Sequence, residues 1–303
     1  MSLIIVLGPT ASGKTSLSVE LAKQFNGEIV GADSVQIYKD LVIGSAAPTE
    51  EEKMGIPHHL IGEYPLEKET NAGIFVKEAG PIVEDIILKG KTCIMVGGTN
   101  FYVEAFLKGL SPVPEIEKKI KNEINEELDK FTTEELYEIL LKTDPDWAGS
   151  ISSQNDRQRI KRGLEVYKAT GITLSNWNKK EREKKYNKKF FAFSIDGERE
   201  ALYEKINRRS ELMVEKGLVE EVKRINLMGY NSSNCKALSS IGYKETEMYL
   251  EGKISTLNEL TAIISQNTRN LAKRQLTWIR NRDYITLIKK EEVKKKIKKF
   301  LER

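Results

Sequence analysis

Eight residues near the N-terminus, Gly8-Pro9-Thr10-Ala11-Ser12-Gly13-Lys14-Thr15, leave few folds open to this chain. They satisfy the pattern Gly-x-x-x-x-Gly-Lys-Ser/Thr. An apolar run, Leu3-Ile4-Ile5-Val6-Leu7, precedes them, and a helical stretch over 15–25 follows, with Leu17, Leu21 and Phe25 on one face. Each residue type has a physical reason. Glycine lets the backbone curl so that its N–H groups face an anion, and the helix N-terminus adds its positive end. Lys14 supplies a mobile charge for the outer phosphate, and Thr15 can set its hydroxyl on Mg²⁺. The whole loop, Gly8, Pro9, Thr10, Ala11, Ser12, Gly13, Lys14 and Thr15, is therefore expected to bind a diphosphate or triphosphate. It does not name the reaction.

The expected fold is α/β, a P-loop NTPase-like doubly wound parallel sheet with an inserted, mainly helical domain. Strand and helix alternate over the first hundred residues: strands at 28–32 and 92–96, a helix at 75–88, and Gly90 closing that helix. The pattern changes at Ser111-Pro112-Val113-Pro114, beyond which the chain is charged and helical, with a further helix from about Asp156. Phe190-Phe191-Ala192-Phe193-Ser194-Ile195 reads as a buried strand rejoining the sheet. Domain limits are thus expected at 1–112 and 191–303 for the core and 113–190 for the insertion, with helices over 199–283. The lysine-rich C-terminal tail reads as an exposed amphipathic helix.

The net charge of +4 hides a segregation. Residues 157–189 carry 12 Lys/Arg against 3 Asp/Glu, and residues 269–303 carry 13 against 4, so the remainder is strongly acidic. Such stretches suit a polyanion, although solvated helix faces give the same pattern. No apolar run approaches the roughly 18–20 residues of a membrane span. With two distant cysteines, Cys93 and Cys235, and no leader-like start, a cytoplasmic protein is expected. No apolar helix face lacks a core to bury it, which favours a monomer.

Two features weaken the default of ATP or GTP. The strand at 92–96 ends in Gly97-Gly98-Thr99, without the usual Mg²⁺-holding aspartate, and no guanine-reading Asn-Lys-x-Asp is present. Instead Asp33 follows the strand at 28–32, where open parallel sheets place their ligand crevice. There a carboxylate can hold Mg²⁺, accept a proton from a nucleophile, or cap the next turn.

The blocks Asp33-Ser34-Val35-Gln36-Ile37-Tyr38, Gly55-Ile56-Pro57-His58-His59-Leu60, Gly97-Gly98-Thr99-Asn100-Phe101-Tyr102 and Asn155-Asp156-Arg157-Gln158-Arg159-Ile160-Lys161-Arg162 follow the phosphate loop in order. Gly217-Leu218-Val219-Glu220-Glu221-Val222, Ile241-Gly242-Tyr243-Lys244-Glu245 and Thr268-Arg269-Asn270-Leu271-Ala272-Lys273-Arg274-Gln275-Leu276-Thr277-Trp278 continue the series. Together they resemble the tRNA dimethylallyltransferases over nearly the whole chain. The resemblance implies transfer of a dimethylallyl group from dimethylallyl diphosphate to the N6 amine of the adenosine 3′ of the anticodon, position 37, with Mg²⁺ as cofactor.

It further implies that Asp33 is the general base or orients the amine. Thr10 would stand near the bridging oxygen, Lys14 and Thr15 on diphosphate and Mg²⁺, and Arg209 would complete the cationic clamp. The tRNA anticodon stem-loop would meet Asp33, Ser34, Val35, Gln36, Thr99, Gln158, Arg159, Arg162 and Lys244. Arg269, Lys273 and Arg280 fall within about 40° of one another on a helix and would track phosphates. Adenine N6 is buried in the stack, so base flipping is expected.

His58-His59 lacks Cys or His partners at zinc spacing, and Trp147, Trp177 and Trp278 read as packing residues. Departures from the family pattern are Val42 and Ala47 in the 42–48 block, where Asp and Lys are usual, Gln154 for Pro, Asn100 for Gly and Gly62 for Asp. Two other functions share the phosphate loop: an ATP-dependent kinase of a small molecule or nucleotide using Asp33 as base, and a non-catalytic RNA-binding module.

Overall fold

In the computed structural model, residues 2–182 and 186–302 are described; Glu183, Lys184 and Lys185, inside the basic run of 179–189, lie outside them. The chain divides into two compact units, Met1–Leu107 with Lys185–Arg303, and Lys108–Lys184. The sequence-based limits of 113 and 190 differ from these by a few residues.

The first unit is built on β1 (Leu3–Leu7), α1 (Lys14–Gln24), β2 (Gly27–Gly31), the single turn α2 (Glu50–Lys53), β3 (His58–His59), α3 (Ala72–Leu88), β4 (Thr92–Val96) and α4 (Asn100–Lys108). The second unit holds α5 (Lys118–Leu128), α6 (Thr133–Thr143), α7 (Pro145–Ser150), α8 (Arg157–Thr170) and α9 (Leu174–Lys179). The chain then returns to the first unit through β5 (Phe190–Ile195), α10 (Arg199–Glu215), α11 (Leu218–Leu227), a 3₁₀ turn Lys236–Ser239, α12 (Tyr243–Leu250), α13 (Leu257–Arg280), β6 (Ile285–Ile288) and α14 (Val293–Leu301).

All pairings are parallel, and the sheet order is β3-β2-β4-β1-β5-β6. β3 and β6 are not among the strands expected from the sequence. The strands read as unbroken apolar runs because both faces are covered. Ile4, Val6, Ile29, Ile94 and Val96 on one face pack with Leu17 and Leu21 of α1 and with Val293 and Ile297 of α14. The alternate residues Leu3, Ile5, Leu7, Cys93 and Met95 are also wholly buried. The tail helix is thus part of the core, with only its lysine face in water.

The register does the positioning. Val96 pairs with Val6 on one side and Gly31 on the other, so β1, β4 and β2 end level with one another. Their following loops carry the phosphate motif, Gly97-Gly98 and Asp33 respectively. Consecutive strands depart to opposite sides of this point, which opens a crevice at the carboxyl ends.

The second unit has its own core of Ile124, Leu128, Leu136, Leu140, Ala148, Ile151, Ile160 and Leu164. Its helix starts are specified locally. Thr132 and Glu135 form a capping box, Asp144 caps α7 ahead of Pro145, and Asp156 caps α8. Gly171, at φ 70°, ends α8.

Candidate active site

The phosphate loop runs from the end of β1 into the first turn of α1. Gly8 has φ 154° and Gly13 φ 82°, both costly for any residue with a Cβ. Gly13 is the N-cap of α1 and no side chain caps it, leaving the first amides of the helix free for an anion. The Lys14 ammonium curls back to donate to the Gly8 carbonyl at 3.0 Å and the Pro9 carbonyl at 2.7 Å. The hydroxyls of Ser12 and Ser194 are buried without partners, and both lie beside Gly8. Orphaned donors around a loop of this shape suit a bound oxyanion.

Asp33 divides its carboxylate between two jobs. Oδ1 accepts from the Val35 N–H at 3.0 Å and the Gln36 N–H at 3.3 Å, which fixes the turn after β2. Oδ2 has no protein donor among the described residues and faces Gly98, where a Cβ would come within 3.2 Å of it. Gly97 is required by close approach: a Cβ there would sit 2.0 Å from the Ala32 carbonyl oxygen. Thr99 Oγ1 accepts from the Ser34 N–H at 3.0 Å and donates to Ser34 Oγ at 3.2 Å, tying the loops after β2 and β4 together.

These pieces open on one cavity of about 620 Å³, within the usual range for a small-molecule site. Its polar wall includes Thr10, Lys14, Thr15, Asp33, Gln36 and Arg209, and its apolar wall Met213, Ile241, Ile264 and Leu271. Burial, with the nearby Arg209 charge adding to it, pushes Lys14 down to about 8, against the pull of Asp33. Burial also lowers Arg209, though Asp33 opposes that shift. Asp33 is thus the carboxylate that opposes the lowering of both cations.

A sequence model described as IPP transferase matches residues 36–282. The chain belongs to that family. The phosphate loop and Asp33 lie just ahead of the matched segment, but relatives match them too. A tRNA dimethylallyltransferase of Thermotoga neapolitana is 40% identical over 99% of this chain and 98% of its own. The crystal structure of a full-length tRNA isopentenylpyrophosphate transferase from Bacillus halodurans superposes with a TM-score of 0.70 at 33% identity, covering 99% of this chain and 95% of the other. A eukaryotic dimethylallyltransferase, solved acting on tRNA, gives a TM-score of 0.74 at 29% identity over 92% of this chain and 70% of its own.

For a chain of the IPP transferase family, the structure gathers some expected residues and leaves others outside the cavity. Thr10, Ala11, Ser12, Gly13, Lys14, Thr15, Asp33, Ser34, Val35, Gln36, Thr99 and Arg209 all line it. Gly8 and Pro9 shape the loop from behind, through their carbonyls. Lys244, Lys273 and Arg280 are exposed. Arg269 is engaged by Asn207 and Gln266. Gln158, Arg159 and Arg162 belong to the second unit and are exposed on α8, with Arg159 paired to Asp156 and Arg162 to Glu165.

Gln275, Arg274 and His58 are among the cavity residues that the sequence does not assign to the site. Gln275 of α13 accepts from the Thr10 N–H at 2.9 Å and donates to the Gly98 carbonyl at 2.8 Å, bridging the loops after β1 and β4. Arg274 lines the cavity beside it. His58 donates through Nδ1 to the Ile56 carbonyl, while burial lowers its pKa and leaves a neutral ring with Nε2 buried and unpartnered. His59 takes a separate, structural part: its Nε2 meets Glu28, which also pairs with Lys91. The signals for Gln275 and Arg274 were present as a run of polar residues on α13, but only the packing of that helix tells which face meets the cavity.

Proposed function

We propose that this protein is a tRNA dimethylallyltransferase, transferring the dimethylallyl group of dimethylallyl diphosphate to the N6 amine of the adenosine 3′ of the anticodon. The observation that carries this reading is a single cavity combining a phosphate cradle, an open carboxylate oxygen on Asp33 and an apolar wall. The cradle takes the leaving group, the apolar wall the allylic chain, and Oδ2 the amine. In the step itself the N6 lone pair forms a bond to the allylic C1 while the C1–O bond to diphosphate breaks. The proton lost from N6 passes to Asp33 Oδ2. Charge growing on the diphosphate is met by Lys14, Arg209 and the amides at the start of α1, which supply the main stabilisation.

Mg²⁺ fits the donor set. Thr15 offers a hydroxyl in the cavity that holds Asp33, and no cluster of three acidic, His or Cys ligands occurs among the described residues. Mg²⁺ bound through substrate phosphates and water needs no such cluster. When bound, it would neutralise part of the diphosphate charge. Ser34, Gln36 and Thr99 would read the flipped base region, and the exposed α8 side chains would meet tRNA phosphates.

The test is incubation with dimethylallyl diphosphate, Mg²⁺ and unmodified tRNA without ATP, followed by mass analysis of the nucleosides. A dimethylallyl adenosine product supports the reading. ATP turnover with an unmodified tRNA would instead indicate a kinase.

A further inference from the structure

We infer that Glu221 is a positioning residue: by fixing the 42–46 turn it sets where Arg209 and Gln36 stand in the cavity. It rests on the transferase reading only for its catalytic consequence, not for its effect on diphosphate binding.

Glu221 lies in the first turn of α11, is only 8% exposed and does not line the cavity. A buried carboxylate is costly unless its lone pairs are filled, and here they are. Oε2 accepts from the N–H groups of Val42 at 3.2 Å and Ile43 at 2.8 Å. Oε1 accepts from the Gly44 N–H at 3.1 Å and the Tyr243 hydroxyl at 2.8 Å. Among the described residues no lysine or arginine pairs with Glu221, so backbone amides and one phenol carry its charge. Burial, followed by the Glu221 charge itself, pushes the Tyr243 phenol far up, keeping it a donor.

The turn so gripped has little freedom left. The Ala46 N–H donates to the Ile43 carbonyl at 3.0 Å, and Ala46 sits at φ 47°. Gly44 lies on the Tyr243 ring, where a Cβ would approach Cζ to 2.5 Å. One turn along α11, Arg224 holds Asp40 through its side chain at 3.2 Å and its carbonyl at 3.1 Å. With its amides fixed by Glu221, the turn presents carbonyls to the cavity residues. Gln36 Nε2 donates to the Ser45 carbonyl at 3.0 Å and the Ala46 carbonyl at 3.1 Å, and Arg209 Nη2 donates to Ser45 at 3.4 Å. Asp33 and Glu52, not Glu221, are the acids whose charges act on Arg209. Glu221 therefore acts through geometry rather than through its field.

Glu221→Gln keeps the shape but puts an NH₂ group against donors. The experiment measures inorganic diphosphate binding by calorimetry for wild type, Glu221→Gln, Arg209→Lys and the double variant, with dimethylallyl transfer measured alongside. Glu221→Gln is expected to weaken diphosphate binding about tenfold, and to weaken it less than about threefold further once Arg209 is lysine. Wild-type affinity in Glu221→Gln, or the full tenfold loss in both backgrounds, overturns the inference. Should Glu221→Gln not fold, Tyr243→Phe removes one donor from the same carboxylate. It is then expected to weaken binding about threefold, non-additively with Arg209→Lys, and unchanged or additive binding overturns the inference. Absence of transfer by the wild type would count against the transferase reading alone, because diphosphate binding is read independently.

Discussion

At the scale of single residues, Asp33 and Lys14 line the same cavity, one from the loop after β2 and the other from the start of α1. Asp33 braces its own turn with Oδ1 and leaves Oδ2 to the cavity. Asp33→Asn keeps an acceptor for the Val35 and Gln36 amides, so thermal unfolding should stay near that of the wild type while turnover falls about 10²–10⁴-fold. Retained turnover would remove Asp33 from proton transfer. Lys14, pushed down to about 8, binds fewer protons in the ligand-free fold than in the unfolded chain between that value and its ordinary 10.5. The cost of burying its charge is therefore present below pH about 8 and fades as pH rises towards 10.5, where stability gains. Diphosphate needs the charged form, so its affinity should fall above pH about 8, by up to about tenfold per unit. Lys14→Met should bind weakly and show no such slope; calorimetry at pH 7 and 9 decides. Lys14 is legible in the sequence because its loop is one continuous motif, and Asp33 because it follows a strand end and stands in a block that resembles the family. Glu221 and Gln275 were not legible as site residues, since their partners lie far along the chain.

At the scale of elements, the sheet was legible wherever strands were long and apolar. β6 was missed because it is short and its two middle residues, Thr286 and Leu287, are both exposed, which breaks strict alternation. α14 looked like a solvated tail because lysines dominate it. Its buried face is only Val293 and Ile297, with Phe300 and Leu301 partly covered. Ile297 is wholly buried, so Ile297→Ala should cost about 2–4 kcal/mol in urea unfolding, far more than an exposed tail allows. Gly97 carries a similar lesson: nothing in its backbone angles marks it, but the chain of β2 passes too close for a Cβ. Gly97→Ala should force the ends of β2 and β4 apart, lowering the melting temperature and displacing Asp33, with a loss of turnover larger than the loss of tRNA affinity.

At the scale of the molecule, the charge segregation resolves into two different structures. One stretch supplies α8 and its flank in the second unit; the other supplies the end of α13 and the lysine face of α14 in the first. Arg159 and Arg162 are exposed but already paired with Asp156 and Glu165, so an RNA phosphate meeting them would exchange one partner for another. Arg159→Ala should weaken tRNA binding and reduce the salt slope by about 0.7–0.9. An unchanged slope would take Arg159 off the RNA. The core pairings carry a consequence for how the chain comes to be folded. β1 is synthesised well before its neighbours β4 and β5, and β5 follows the whole second unit. During translation one edge of β1, and the apolar faces that α14 will cover, must wait for sequence made much later. During synthesis the sheet therefore stands incomplete with an open edge, which makes the nascent chain dependent on delayed, long-range closure and exposed to aggregation until α14 arrives.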